Sequence, residues 1–167
     1  MNTDFMNIFF ERDRETRLEF IQSHFYTASP QKLPTIKPQK RVKLKRKQLI
    51  KIYTTCFNMD TVYEYDVIRE MICRINDCFG YKKPRATMGH HIPLNAGGDH
   101  SNKNWFIQER LENTKEGNNL PLTPKMSWSE QVLHILKIVE DCPNIMKIRD
   151  VIDFLPTYME IYDDGEA

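Results

Sequence analysis

A break in periodicity constrains this chain more than any other feature. Apolar residues recur at helical spacing up to about Phe79 and again from Ser127 onward, but not between Pro84 and that point. The interval holds the run GHHIPLNAGGDHSNKNWFIQERLENTKEGNN, with three of the chain's five histidines, the Gly97-Gly98 pair, Asn104 and Asn113. Here an extended, turn-rich segment is set between helices, so the chain reads as α+β. It cannot be an all-helical bundle or a regular α/β repeat.

The flanking helices follow from their stripes. Phe5, Ile8, Phe9, Leu18, Ile21 and Phe25 predict one imperfect amphipathic helix over 4–26, or two short ones. Pro30, Pro34 and Pro38 make 28–41 extended. A helix is expected from Lys45 to Phe57 on Leu49, Ile52, Tyr53 and Cys56. Thr61 with Glu64 forms a capping-box pattern ahead of the Ile68, Met71, Ile72, Ile75, Phe79 face, and Gly80 suits the stop. Ser127 with Glu130 repeats the pattern before Trp128, Val132, Ile135, Leu136 and Val139. A last helix on Ile145, Ile148, Ile152 and Leu155 is expected to end at Pro156.

Within the interval, ATMGHHI reads as a strand ending at the histidine pair, and PLNAGGDHSNKN as an irregular loop. WFIQ reads as a second strand, and Arg110 to about Glu116 as a short helix stopped by Gly117. Strand, loop, strand and helix make a ββα unit, in which the end of the first strand faces a side chain one turn into the helix. His90 and His91 are thereby expected opposite Asn113.

At 167 residues, one domain with an appended arm is the natural organisation. We divide it into an N-terminal helix and basic, proline-containing arm over 1–47 and a helical domain over 48–167 that carries the insert at 85–119. Nothing approaches the ~18 apolar residues of a membrane span. The N-terminus, with acids early, does not read as a secretion signal. Cys56, Cys73, Cys78 and Cys142 form no C-x-x-C pair, which favours reduced thiols in a cytoplasmic protein over a structural zinc site. The net charge of +1 conceals an asymmetry. No acid lies between Glu19 and Asp60, a gap containing Lys32, Lys37, Lys40, Arg41, Lys43, Lys45, Arg46 and Lys47, whereas every charge after Arg149 is acidic. The cationic run suits phosphate contact, and equally a solvated linker or a targeting segment.

The interval resembles the HNH endonucleases, a group of ββα-metal finger nucleases. The family pattern is a histidine-containing dyad closing the first strand, then P-x-x-x-G-G, a middle Asn, and a His or Asn on the helix followed by Lys and Gly. This chain supplies HHIPLNAGG, Asn104 and ENTKEGN; the match is confined to 86–120. The resemblance implies a small ββα-metal finger embedded in a mostly helical domain. It implies metal-dependent hydrolysis of DNA phosphodiester bonds, leaving 5′ phosphate and 3′ hydroxyl, as a nick by a monomer or a double-strand break by a homodimer. In that reading His91 is the general base, since histidine titrates near neutrality. His90 and Asn113 are the metal ligands, and Asn104 bridges backbone groups across the loop to orient His91. Lys40, Arg41, Lys43, Lys45, Arg46, Lys47, Arg85, Lys103, Arg110 and Lys115 are the candidate DNA contacts, the last four expected around the site.

Two departures matter. The chain lacks the C-x-x-C knuckles that bracket many small members, so the finger must lean on its helices. His90 stands where Asp is common, and the resulting neutral His and Asn pair leaves Mn2+, Ni2+ or Zn2+ open beside Mg2+, which cellular abundance favours. His100 could replace one ligand; His24 and His134 show no partner in the sequence. A phage or bacterial source is expected. The alternatives are a non-catalytic DNA-binding protein on the same scaffold and a nuclease directed at RNA.

Overall fold

The computed structural model describes residues 3–26, 59–80, 84–92, 101–116 and 124–165. Within them the chain is helix-rich with one two-stranded antiparallel sheet, an α+β arrangement. The expected helix over 45–57, the extended 28–41 segment and the boundary at 47/48 lie outside the described residues.

The N-terminal region forms two helices, α1 (Thr3–Phe10) and α2 (Arg14–Tyr26). Asp13 separates them: its carboxylate accepts from the Thr16 N–H at 2.9 Å, capping α2. Phe5 and Phe9 stack, Phe5 also meets Phe20 at 5.2 Å between ring centres, and Phe5, Phe9 and Ile21 join the main core.

Helix α3 (Met59–Asp77) begins two residues before the cap expected at Thr61. A Thr three residues ahead of a Glu reads as a cap in sequence, but the same spacing also occurs on a helix face. Ile68, Met71 and Ile75 are fully buried, and beyond the helix Gly80 turns the chain with φ +81°. Strands β1 (Ala86–His90) and β2 (Trp105–Glu109) pair with Ala86 opposite Glu109 and His90 opposite Trp105. Helix α4 (Arg110–Glu116) follows directly, so the expected order of strand, strand and helix is present.

Ser127 caps α5 (Trp128–Val139), whose buried face includes Trp128, Val132, Ile135, Leu136 and Val139. Asn144 caps α6 (Ile145–Ile161). The expected end of this helix at Leu155 is overturned, because α6 runs through Pro156 for five further residues. An interior proline costs about 3 kcal/mol. Tyr158 and Met159 are buried beyond it, and burial of such side chains returns about 1.5–3 kcal/mol each. Helices α3 and α6 pack against each other along the core, while α3 flanks β1 and α5 flanks β2. No described helix is long and apolar enough to cross a membrane.

Candidate functional site

A two-stranded sheet has two open edges, each presenting backbone groups that must find partners when buried. Carboxamide side chains from the neighbouring helices close both edges here. On the β1 side, Asn76 of α3 accepts from the N–H groups of Arg85 and Ala86, each at 2.8 Å, and donates to the Ala86 carbonyl at 3.0 Å. On the β2 side, Gln131 of α5 accepts from the Ile107 N–H at 2.7 Å and donates to its carbonyl at 3.0 Å. The Tyr158 hydroxyl donates to the same Gln131 oxygen at 2.8 Å, tying α6 into the clamp. The hairpin is thereby fixed to three helices by polar contacts as well as by its apolar faces.

A third carboxamide holds the histidine end. Asn104 is 5% exposed; its Oδ1 accepts from the Ile92 N–H at 2.7 Å, and its Nδ2 donates to the Ile92 carbonyl at 2.9 Å. Its own backbone carbonyl accepts from the His91 N–H at 2.8 Å. Both its main chain and its side chain therefore span the loop, and the segment carrying His91 is held at two successive residues. His90 ends the ladder opposite Trp105, and His91 lies one residue beyond; both are half-buried. The neighbouring Gly89 permits a close approach: a Cβ there would stand 2.4 Å from Gln108 Oε1 and 3.2 Å from Gln108 Cβ. Gln108 is buried, so a larger residue would displace it from under the histidine end.

Asn113 reaches back from α4 to β1, where its Nδ2 donates to the Met88 carbonyl at 3.4 Å. That contact engages the amide nitrogen, so the atom that would suit a cation, Oδ1, is the other one. Asn113 thus stands beside the strand that ends in the histidine pair. Among the described residues no group of three or more His, Cys, Asp or Glu side chains could hold a metal ion.

The predicted phosphate contacts do not gather in one place. The Arg110 N–H donates to the Arg85 carbonyl at 2.8 Å, which closes the hairpin at the end opposite the histidines. The intervening five-residue strand, six residue steps from Arg85 to His91, puts them roughly 20 Å from His91 at about 3.3 Å per residue. Arg85 there pairs with Asp141 at 2.7 Å and lies over the Phe79 ring, while Arg110 Nε donates to the Pro84 carbonyl at 2.9 Å. The register therefore sets both at the opposite end of the strand from His91, with Arg110 on the same helix as Asn113. Lys103, by contrast, is exposed and adjoins Asn104 at the histidine end. Lys40, Arg41, Lys43, Lys45, Arg46, Lys47, Gly97, Gly98 and His100 lie outside the described residues, as does the side chain of Lys115.

Two surface grooves lie elsewhere. One of about 690 Å3 runs along the far end of the hairpin past Arg85, Arg110, His134 and Lys137; the other, about 580 Å3, is lined by Met6, Phe10, Met126, Leu133 and His134. Burial lowers the His134 pKa against the opposing pull of Glu112 and Glu109, and its buried Nε2 has no hydrogen-bond partner among the described residues. Neither groove is lined by His90, His91, Asn104 or Asn113.

Sequence reasoning missed Asn76 and Gln131. Both fall in register with the apolar stripes of their helices, Asn76 four residues after Ile72 and Gln131 four before Ile135, and that register was the available signal for their burial at 9% and 0% exposure. It also missed Lys125 and Asn102, whose contacts run to the C-terminal segment. No protein-family model, curated protein or solved structure matches this chain.

Proposed function

We propose that this protein is a metal-dependent endonuclease of the HNH type that hydrolyses phosphodiester bonds in DNA. The observation that carries the reading is the double hold of Asn104 on His91 and Ile92. A buried amide with these contacts made holds the backbone from which the His91 imidazole projects at the end of the strand. A general base needs that constraint, because proton transfer depends on a heavy-atom separation of about 2.6–3.2 Å.

In this reading the His91 imidazole takes a proton from a water molecule as its oxygen attacks phosphorus. The bond from phosphorus to the 3′ oxygen breaks, and that oxygen is protonated to a hydroxyl. His90 and the Asn113 Oδ1 would hold one divalent ion, Mg2+ in the first instance. What supports this is that the Asn113 amide nitrogen is engaged by the Met88 carbonyl, which leaves its oxygen as the donor; water and phosphate oxygens would complete the shell. When bound, the ion would stabilise negative charge on the phosphate oxygens and the leaving oxygen. An imidazole nitrogen in the set also admits Mn2+, Ni2+ or Zn2+.

The cationic 32–47 segment and Lys103 would supply phosphate contacts independent of sequence. One such site cuts one strand, so a monomer would nick and a homodimer would break both strands.

Incubating the protein with supercoiled plasmid under chelation and with each of the four ions tests the reading. Metal-dependent conversion to open circles, lost in His91→Ala, is expected. DNA binding without cleavage under every ion would return the chain to a binding role. Cleavage of RNA in preference to duplex DNA would change the substrate.

A further inference from the structure

The loop that carries Asn104 is anchored from the far end of the chain. Lys125, between α4 and α5, donates from Nζ to the Asn102 carbonyl at 2.6 Å and also to the Asp163 carbonyl. The Asn102 side chain donates to the Ile161 carbonyl, the last residue of α6, at 2.9 Å. Asn102 is therefore gripped on both sides, by Lys125 at its carbonyl and by α6 at its amide. One residue before it, the Ser101 carbonyl accepts from the N–H groups of Asn104 and Trp105 at 3.0 and 3.1 Å. The turn is continuous from the grip on Asn102 to the amide that holds His91.

The C-terminal segment itself is well tethered. Both oxygens of the Asp164 carboxylate, 2% exposed, accept from Arg14 Nη2 at 2.8 Å, and Oδ2 also accepts from the Trp128 N–H at 2.5 Å. The Tyr162 hydroxyl donates to the Met126 carbonyl at 2.5 Å, and Lys125 Nζ sits 4.6 Å from the centre of the Tyr162 ring. Lys125 thus bridges a rigid tail and the loop.

We propose that Lys125 is a positioning residue for the His91 site, acting through Asn102 and the 101–104 turn to fix Asn104. The inference rests on the nuclease reading for its catalytic consequence alone; the mechanical coupling stands independently. Desolvation brings the Lys125 pKa down to about 8, with Asp163 and Asp164 pulling the other way, so its charge is held in place at a net cost to the folded state. A residue serving stability alone would not need that charge, since an apolar chain of similar length would fill the space without the desolvation penalty. The ammonium supplies what the apolar chain cannot, simultaneous donation to two carbonyls on different segments.

The test combines amide hydrogen exchange with plasmid nicking in the full chain, comparing the parent with Lys125→Met and Lys125→Arg. Exchange protection at the His91 and Ile92 amides, both bonded to Asn104, is expected to fall roughly tenfold or more in Lys125→Met as local opening becomes easier. The Ile107 amide, held by Gln131, should keep its protection. Lys125→Arg should restore part of the protection, because guanidinium also donates to two carbonyls. The nicking kcat should follow the His91 protection, with the KM for DNA unchanged. Unchanged protection at His91 and Ile92 in Lys125→Met would overturn the proposal, as would loss of protection at Ile107 to the same degree. Lost protection with full kcat would also overturn it. Lost protection in a protein whose parent cuts no DNA would sustain the coupling and remove the nuclease reading instead.

Discussion

His91 and Asn113 carry different burdens in the proposed reaction, and substitution separates them. His91→Ala leaves both proposed ligands in place, so metal and DNA binding should persist while nicking falls by roughly 10²-fold or more. Asn113→Ala removes one of two ligands, so its activity should recover partly at higher metal concentration, which His91→Ala should not do. A metal titration of the nicking rate for both variants checks this, and rescue of His91→Ala alone would reverse the assignments. Asn104 acts through its hydrogen bonds. Replacing it by alanine leaves the Ile92 N–H and carbonyl without their partner, at about 1–3 kcal/mol per buried group. Asn104→Ala should therefore lower the melting temperature and the nicking rate together; full stability with lost activity would point to direct chemistry by Asn104. The resemblance implied that this amide bridges backbone groups, and in the fold it bonds both the N–H and the carbonyl of Ile92. For Asn76 and Gln131 the helical register with Ile72 and Ile135 marks a buried face, but their backbone partners on the sheet edges are not legible in the sequence.

At the level of elements, the hairpin depends on its clamps. Gln131→Leu conserves much of the volume but leaves the Ile107 N–H, its carbonyl and the Tyr158 hydroxyl without this partner. At about 1–3 kcal/mol for each stranded group, chemical denaturation should show a loss of several kcal/mol. A loss below 1 kcal/mol would mean that water reaches the β2 edge. The elements themselves were largely legible. The Ser127 cap, the strand ending at His90 and the helix from Arg110 fall where turn chemistry and periodicity put them. The passage of α6 through Pro156 was not, because the local rule against interior proline is outweighed by Tyr158 and Met159, whose burial depends on partners distant in sequence.

For the whole molecule, Lys125 links stability to pH in an unusual direction. Its folded pKa is about 8 and its ordinary value is 10.5, so between those values the folded state binds fewer protons than the unfolded chain. Below pH 8 both states carry the charge and the burial penalty is full; as pH rises from 8 to 10.5 the penalty is relieved. The melting temperature of the parent relative to Lys125→Met should rise across that window, and a flat or falling difference would show the ammonium to be solvated. The same residue marks the division between what sequence determines and what it leaves to the fold. The order of elements, the α+β class and the placing of His90, His91, Asn104 and Asn113 around one short hairpin follow from sequence, because periodicity, caps and turns act over a few residues. The far placement of Arg85 and Arg110, the amides on the sheet edges and the grip of Lys125 on Asn102 come from the tertiary structure alone. They join residues up to tens of positions apart, and whether a polar side chain finds a buried partner depends on which surfaces meet, which no local pattern encodes.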